Sequence, residues 1–265
     1  MSQRAFRIRY FVPFIASALL IPGLARAAQL TVAAAADLTF AFPEVAARFQ
    51  KETGNSVNVS FGSSGNFFAQ IQNGAPYDLF FSADTGYPQR LQSLGFTQPG
   101  TLYKYATGKL VLWAPSGSHL DVSRGLPVLL DPRVRKIAIA NPEHAPYGRA
   151  AVAALRHARI YEKVRGKLVL GENISQAAQF VASGDADIGL LARSLTLAPT
   201  MNGKGKSFEI PPSDYPPIDQ AAVILKSSQK KELAQQFLDF MRKPETQALM
   251  RRYGFALAHP SDTTP

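Results

Sequence analysis

The 265-residue sequence contains no cysteine, which excludes disulfide scaffolds, thiolate metal sites and cysteine nucleophiles together. It also excludes a lipid anchor built on a lipobox cysteine. There is no internal repeat of fixed period and no low-complexity tract. The composition, 46% hydrophobic and 18% charged with 19 glycines and 19 prolines, is that of a globular protein and not of a collagen, a coiled coil or a disordered tail. Enzyme signatures are missing as well. The four histidines (His119, His144, His157 and His259) show no metal-ligand spacing such as H-E-x-x-H, and no serine lies in a G-x-S-x-G elbow. Gly203-Lys204-Gly205-Lys206-Ser207 ends like a phosphate loop, but Thr200 stands where the earlier glycine is required, so it reads as a solvated basic loop. Asp78 and Asp84 could pose as paired carboxylates and are read as structural residues at a strand's edges.

The formal charge of +10 comes partly from one place. Residues 1–27 carry Arg4, Arg7, Arg9 and Arg26 and no acid, so the rest of the chain carries +6. Those remaining charges are scattered among acids without a basic stripe bearing interleaved aromatics, and no nucleic-acid partner is expected. The arginines belong to an export signal: a basic start, an apolar stretch from about Phe11 to Leu24, and the small-x-small pattern Ala25-Arg26-Ala27. Pro13, Pro22 and Gly23 break that stretch, which falls short of the ~20 residues of a membrane span. Cleavage is expected after Ala27 or Ala28. No later segment is apolar over such a length.

Beyond the signal, short β-like runs alternate with helix-like segments. Strands are expected at Leu30–Ala35, Val57–Phe61, Asp78–Ser82, Lys109–Trp113, Lys136–Ala140, Lys167–Leu170, Ile188–Leu191 and Ala222–Leu225. Helices are expected at Leu38–Gln50, Asn66–Gln72, Tyr87–Leu94, Arg149–Arg159, Gln176–Ser183, Lys230–Arg242 and Glu245–Arg252. This rhythm predicts an α/β fold of mostly parallel sheets with helices on their faces. A stiff Pro-rich connector, Ile210–Pro217, precedes the last strand. Residues 259–265 read as a tail.

Small and capping residues gather after four of the strands: at Ala36-Asp37, at Gly62-Ser63-Ser64-Gly65-Asn66, from Asn141 to Gly148, and from Gly171 to Ser175. In an open α/β sheet such turns lie at the carboxyl ends of the strands, where ligands bind. Each opens a helix whose first amides lack intrahelical partners and whose dipole favours an anion. Two turns fall in each half of the chain, which predicts two lobes facing across a cleft. Each turn alone also has a plain reading: Asp37 as an N-cap, Ser63-Ser64 as a simple turn, Tyr147 and Ile174 as packing residues.

The segments Ala33-Ala34-Ala35-Ala36-Asp37-Leu38, Phe61-Gly62-Ser63-Ser64-Gly65-Asn66, Gly74 to Asp84, Tyr105 to Trp113, Asn141 to Gly148 and Arg252-Tyr253-Gly254-Phe255 together resemble the periplasmic molybdate-binding proteins of ABC transporters. The resemblance runs through the whole mature chain in order. It implies a two-lobed periplasmic binding protein fold with two crossover strands, with lobe 1 at 28–107, lobe 2 at 108–222, and a return to lobe 1 with C-terminal helices at 223–258. It implies a periplasmic, monomeric receptor that captures molybdate and hands it to permease subunits, with no cofactor and no catalysis.

Carried over by position, the oxyanion contacts are Ala36, Asp37, Ser64, Tyr147 and Ile174. They touch the oxygens of molybdate and are not direct ligands of the metal. Tyr147 and Ile174 are expected to donate through main-chain N–H. Asp37 stands where relatives carry Ser or Asn, and its side chain is expected to turn away as a cap while its N–H is offered. Ala192 stands where some members donate a tyrosine hydroxyl, a contact that the Tyr147-bearing variety manages without. The alternatives are a receptor for tungstate or another tetrahedral oxyanion and, from a different class, an exported serine hydrolase using Ser64.

Overall fold

The computed structural model describes residues 28–257, so the expected export signal and the tail lie outside the described residues. The first lobe runs β1 (Gln29–Ala35), a 3-10 turn (Ala36–Leu38), α1 (Ala41–Thr53), β2 (Ser56–Gly62), α2 (Ser64–Gln72), β3 (Leu79–Ser82), α3 (Gly86–Ser93) and β4 (Tyr103–Gly108). The second follows with β5 (Leu110–Pro115), β6 (Ile137–Ala140), α4 (Pro146–His157), α5 (Tyr161–Val164), β7 (Leu168–Gly171), α6 (Ile174–Ala182), β8 (Ile188–Ala192), α7 (Arg193–Thr196) and β9 (Gly205–Glu209). The chain then returns through β10 (Ile218–Ile224), α8 (Lys231–Arg242) and α9 (Pro244–Arg252).

Each lobe is built on a five-stranded sheet, ordered β2-β1-β3-β10-β4 in the first and β7-β6-β8-β5-β9 in the second. Both sheets are mixed. β10 runs antiparallel to both its neighbours, and so does β5; the other strands of each sheet share one direction. The two reversed strands are the ones the chain uses just after it crosses between lobes. The first crossing is at Lys109, between β4 and β5, and the second is the expected Pro-rich connector at 210–217. Since β10 already belongs to the first sheet, the return precedes Ile218 and not residue 223 as expected.

The strands of the first sheet are covered on both faces, and alternation sorts their side chains. Leu30, Val32 and Ala34 of β1 face a core shared with Phe42, Val45 and Phe49 of α1 and Phe237 and Leu238 of α8. Ala33 points the other way, to Phe67, Phe68 and Ile71 of α2. Phe81 and Phe80 divide in the same manner. Edge-on aromatic pairs such as Phe42–Phe81 (4.8 Å between ring centres) and Phe49–Phe237 (5.1 Å) close the first core.

Three local expectations are corrected. The helix expected from Leu38 begins at Ala41 instead, behind the 3-10 turn. Pro43 has no N–H for a carbonyl four residues back and is tolerated only in a helix's first turn. No strand is expected at 103–108, yet β4 lies there, one residue before β5 and in the other sheet. The 203–207 stretch is not all solvated loop: Gly205 starts β9, which pairs with β5, and any Cβ there would collide with the Trp113 ring.

Candidate functional site

The four strand-to-helix turns meet. Ala36 and Asp37 after β1, Ser63 and Ser64 before α2, Ala145 to Tyr147 at the start of α4, and Asn173 and Ile174 at the start of α6 line a single small cavity between the lobes. All five candidate residues lie on it, and all are buried. No lysine or arginine lines it, and no group of three metal-ligating side chains occurs among the described residues. A larger groove of about 990 Å³, open to solvent, lies between α1 and α8. It mixes both signs of charge and includes Lys231 and Glu232 at the opening of α8; the smaller cavity, where three helices and the 3-10 turn open together without a lysine or arginine, is the candidate site.

Accounting for the first-turn amides shows why the cavity suits an anion. In α2 the Gly65 N–H donates to the His144 carbonyl at 2.9 Å, and the Asn66 N–H to the capping Ser63 hydroxyl at 3.3 Å. In α4 Pro146 has no N–H, and those of Gly148 and Arg149 donate to the Ala145 carbonyl. In α6 the Asn173 carboxamide caps both Ser175 and Gln176 at 3.0 Å. One amide is left over in each helix: Ser64, Tyr147 and Ile174. None of the three has an acceptor among the described residues, and each residue lines the cavity. A buried N–H without a partner is costly, and three on residues that line one space at helix openings favour an anionic acceptor there. The Ser64 hydroxyl accepts from the Ala83 N–H at 2.9 Å, which leaves its own proton free to donate.

Asp37 departs from its expected role. The 3-10 turn has Ala35 as its N-cap, without a side-chain cap. The Asp37 carboxylate enters a buried polar cluster instead: Oδ2 accepts from Gln220 Nε2 at 2.5 Å and from the Tyr147 hydroxyl at 3.1 Å. Gln220 is itself oriented by Tyr105, whose hydroxyl donates to its Oε1 at 2.7 Å. Gly108 makes room for this cluster, since a Cβ there would collide with the Tyr147 hydroxyl and the Gln220 amide. The other carboxylate oxygen, Oδ1, is buried and has no hydrogen-bond partner among the described residues. Loss of hydration raises the Asp37 pKa from 3.8 to about 6, against the lowering effect of the Gln220 and Tyr147 bonds and, last, of the residue's own backbone N–H. Burial, and then the nearby Asp37 charge, hold the Tyr147 and Tyr105 phenols well above their usual range.

Around the cavity the lobes are latched. His144 Nδ1 lies 2.8 Å from Ser63 Oγ, Asn66 donates to Glu172, and Arg149 of α4 pairs with Asp84 and lies over the Tyr87 ring. From α7, the Ser194 hydroxyl donates to the Asp37 carbonyl at 2.8 Å. The two carboxylates weighed as a pair sit at opposite ends of β3. Asp84 accepts from the Tyr87 N–H at 3.0 Å, and Asp78 accepts from Thr31 N–H, Ser228 and Lys230.

Sequence reasoning missed Gln220, Asn173 and Ser194. Asn173 could have been found as a helix-opening Asn. Gln220 carried no signal, since it lies inside a strand far from every turn.

A profile of the family described as bacterial extracellular solute-binding protein matches residues 30–256. The molybdate-binding protein ModA of Azotobacter vinelandii is 40% identical over 233 residues, 88% of this chain and 92% of that protein. ModA of Rhodobacter capsulatus is 39% identical over 241 residues, 89% of this chain and 92% of that protein. The solved Azotobacter vinelandii periplasmic molybdate-binding protein superposes with a TM-score of 0.82 at 38% identity, over 87% of this chain and all of that one. With its two mixed sheets, its crossings at 109 and 210–217, and four helix openings around one cavity, this chain belongs to the bacterial extracellular solute-binding protein family.

Proposed function

We propose that this chain is the molybdate receptor of an ABC importer: exported to the periplasm, it captures the tetrahedral dianion in the interlobe cavity and delivers it to membrane permease subunits as a monomer. The observation that carries this reading is the set of three acceptorless amides, Ser64, Tyr147 and Ile174, on one cavity without a cationic side chain. The names of its relatives support the same ligand. Hydrogen bonds to a charged acceptor contribute about 1.5–3 kcal/mol each. The three amides and the Ser64 hydroxyl, with further donors from the Ala36-Asp37 turn, allow nanomolar affinity, about −12 kcal/mol, after dehydration and closure costs. Neutral donors also suit a ligand that must be released. A smaller oxyanion such as sulfate would leave some donors unpaired.

Hydrolysis is disfavoured. The histidine of the cluster meets Ser63 and not Ser64, through Nδ1. Glu172 is 3.8 Å from Nε2, beyond hydrogen-bond reach. In a working triad Nε2 faces the serine and the acid holds Nδ1.

Calorimetry of residues 28–265 with molybdate, tungstate, sulfate and phosphate tests the proposal. Tight binding of molybdate with far weaker sulfate and phosphate is expected; no heat with molybdate, or preference for phosphate, refutes it.

A further inference from the structure

We propose that Asp37 meets the bound oxyanion as a neutral carboxylic acid, its Oδ1–H donating to a ligand oxygen, so that each anion captured takes up one proton from solvent. This rests on the oxyanion-receptor reading above and assigns to the Asp37 side chain a role in binding.

The geometry is asymmetric. Oδ2 is filled by two donors, Gln220 Nε2 and the Tyr147 hydroxyl, while Oδ1 is buried with none. Neither neighbour can turn to serve it. The Tyr147 proton is committed to Oδ2, and the Gln220 amide is held by Tyr105 through its Oε1. A proton therefore belongs on Oδ1, where it converts an acceptor without a partner into a donor. Asp37 lines the cavity, and a ligand oxygen held there is the acceptor assigned to that proton. An ionised carboxylate there would instead set a negative charge against a dianion, with no lysine or arginine on the cavity to offset it.

The surroundings carry no competing titration at that oxygen. Facing Asp37 are the phenols of Tyr147 from α4 and Tyr105 from β4, both held protonated by burial. Neither β2 nor α6 contains a titratable side chain. On α7, Arg193 is paired with Glu209 at 3.4 Å, and on β10, Asp219 is paired with Lys104 at 3.0 Å. At the rim His144 is bonded to Ser63, and Arg149 is paired with Asp84. The free carboxyl titrates at about 6, and a dianion placed beside it raises that value further. Near neutral pH the free protein is thus mostly ionised at Asp37, and the complex is protonated.

Molybdate calorimetry near pH 7.5, in buffers of different ionisation enthalpy, reads the proton directly in the unaltered protein. Uptake approaching one proton per anion is expected. Affinity should fall nearly tenfold per pH unit as pH rises above about 6. In Asp37→Asn, whose amide donates without titrating, uptake should vanish and affinity should become flat with pH. Tight molybdate binding without proton uptake overturns the proposal and leaves the receptor reading standing. The same follows if Asp37→Asn keeps the wild-type pH dependence. Absence of molybdate binding at every pH in both proteins overturns both.

Discussion

Replacing Asp37 by Asn should stabilise the ligand-free protein, and the gain should depend on pH in one direction only. In the unfolded chain the carboxyl releases its proton near 3.8, and in the folded chain at about 6. Below both values each state is protonated and the residue contributes no pH dependence. Between them the folded state holds a proton that the unfolded state has released, so stability falls as pH rises. Above about 6 the loss is complete. A gap of about two pH units, at about 1.4 kcal/mol per unit, corresponds to about 3 kcal/mol, and the burial of Asp37 leaves no solvent screening to discount it. Asparagine keeps an acceptor oxygen for Gln220 and Tyr147 and places an uncharged donor at Oδ1. The variant should therefore match the wild type near pH 4 and exceed it by up to about 3 kcal/mol at pH 7.5, several degrees in Tm. Urea and thermal unfolding of ligand-free protein across that range measure it. Parallel pH profiles for the two proteins would show that the buried carboxylate carries no such cost.

Two further substitutions probe the cavity and the cluster behind it. Ser64→Ala removes a hydroxyl donor and strips the Ala83 N–H of its acceptor; molybdate affinity should fall by about 1.5–3 kcal/mol, roughly ten- to a hundredfold, and an unchanged Kd by calorimetry would remove Ser64 from the site. Gly108→Ala drives a methyl group into the Tyr147 hydroxyl and the Gln220 amide; it should cost about 1–3 kcal/mol of stability in urea unfolding and weaken binding, and wild-type values for both would contradict the packing described.

Much of the architecture was legible because its signals are local. Apolar runs bounded by Gly, Ser and Asn marked β1, β2, β6 and β7, and capping residues marked the turns after them. Elements whose signal depends on partners were not legible. β9, with the sequence Gly-Lys-Ser-Phe-Glu, is a strand because β5 offers it an edge and Gly205 fits against Trp113. β4, for which no strand is expected from the sequence, is fixed by its pairing with β10.

The four turns were legible one at a time, because small and capping residues after a strand are a property of a few consecutive positions; the five candidate residues within them came from the resemblance, position by position. Which amides remain unpaired could not be read that way. It depends on His144 reaching Gly65 from the other lobe and on Asn173 capping two amides at once. The state of Asp37 depends on still longer connections, since Gln220 and Tyr147 come to its carboxylate from 183 and 110 residues away. A sequence states that a carboxyl group is present; only the folded chain removes its water, fills one oxygen and leaves the other bare, and those three circumstances set its charge.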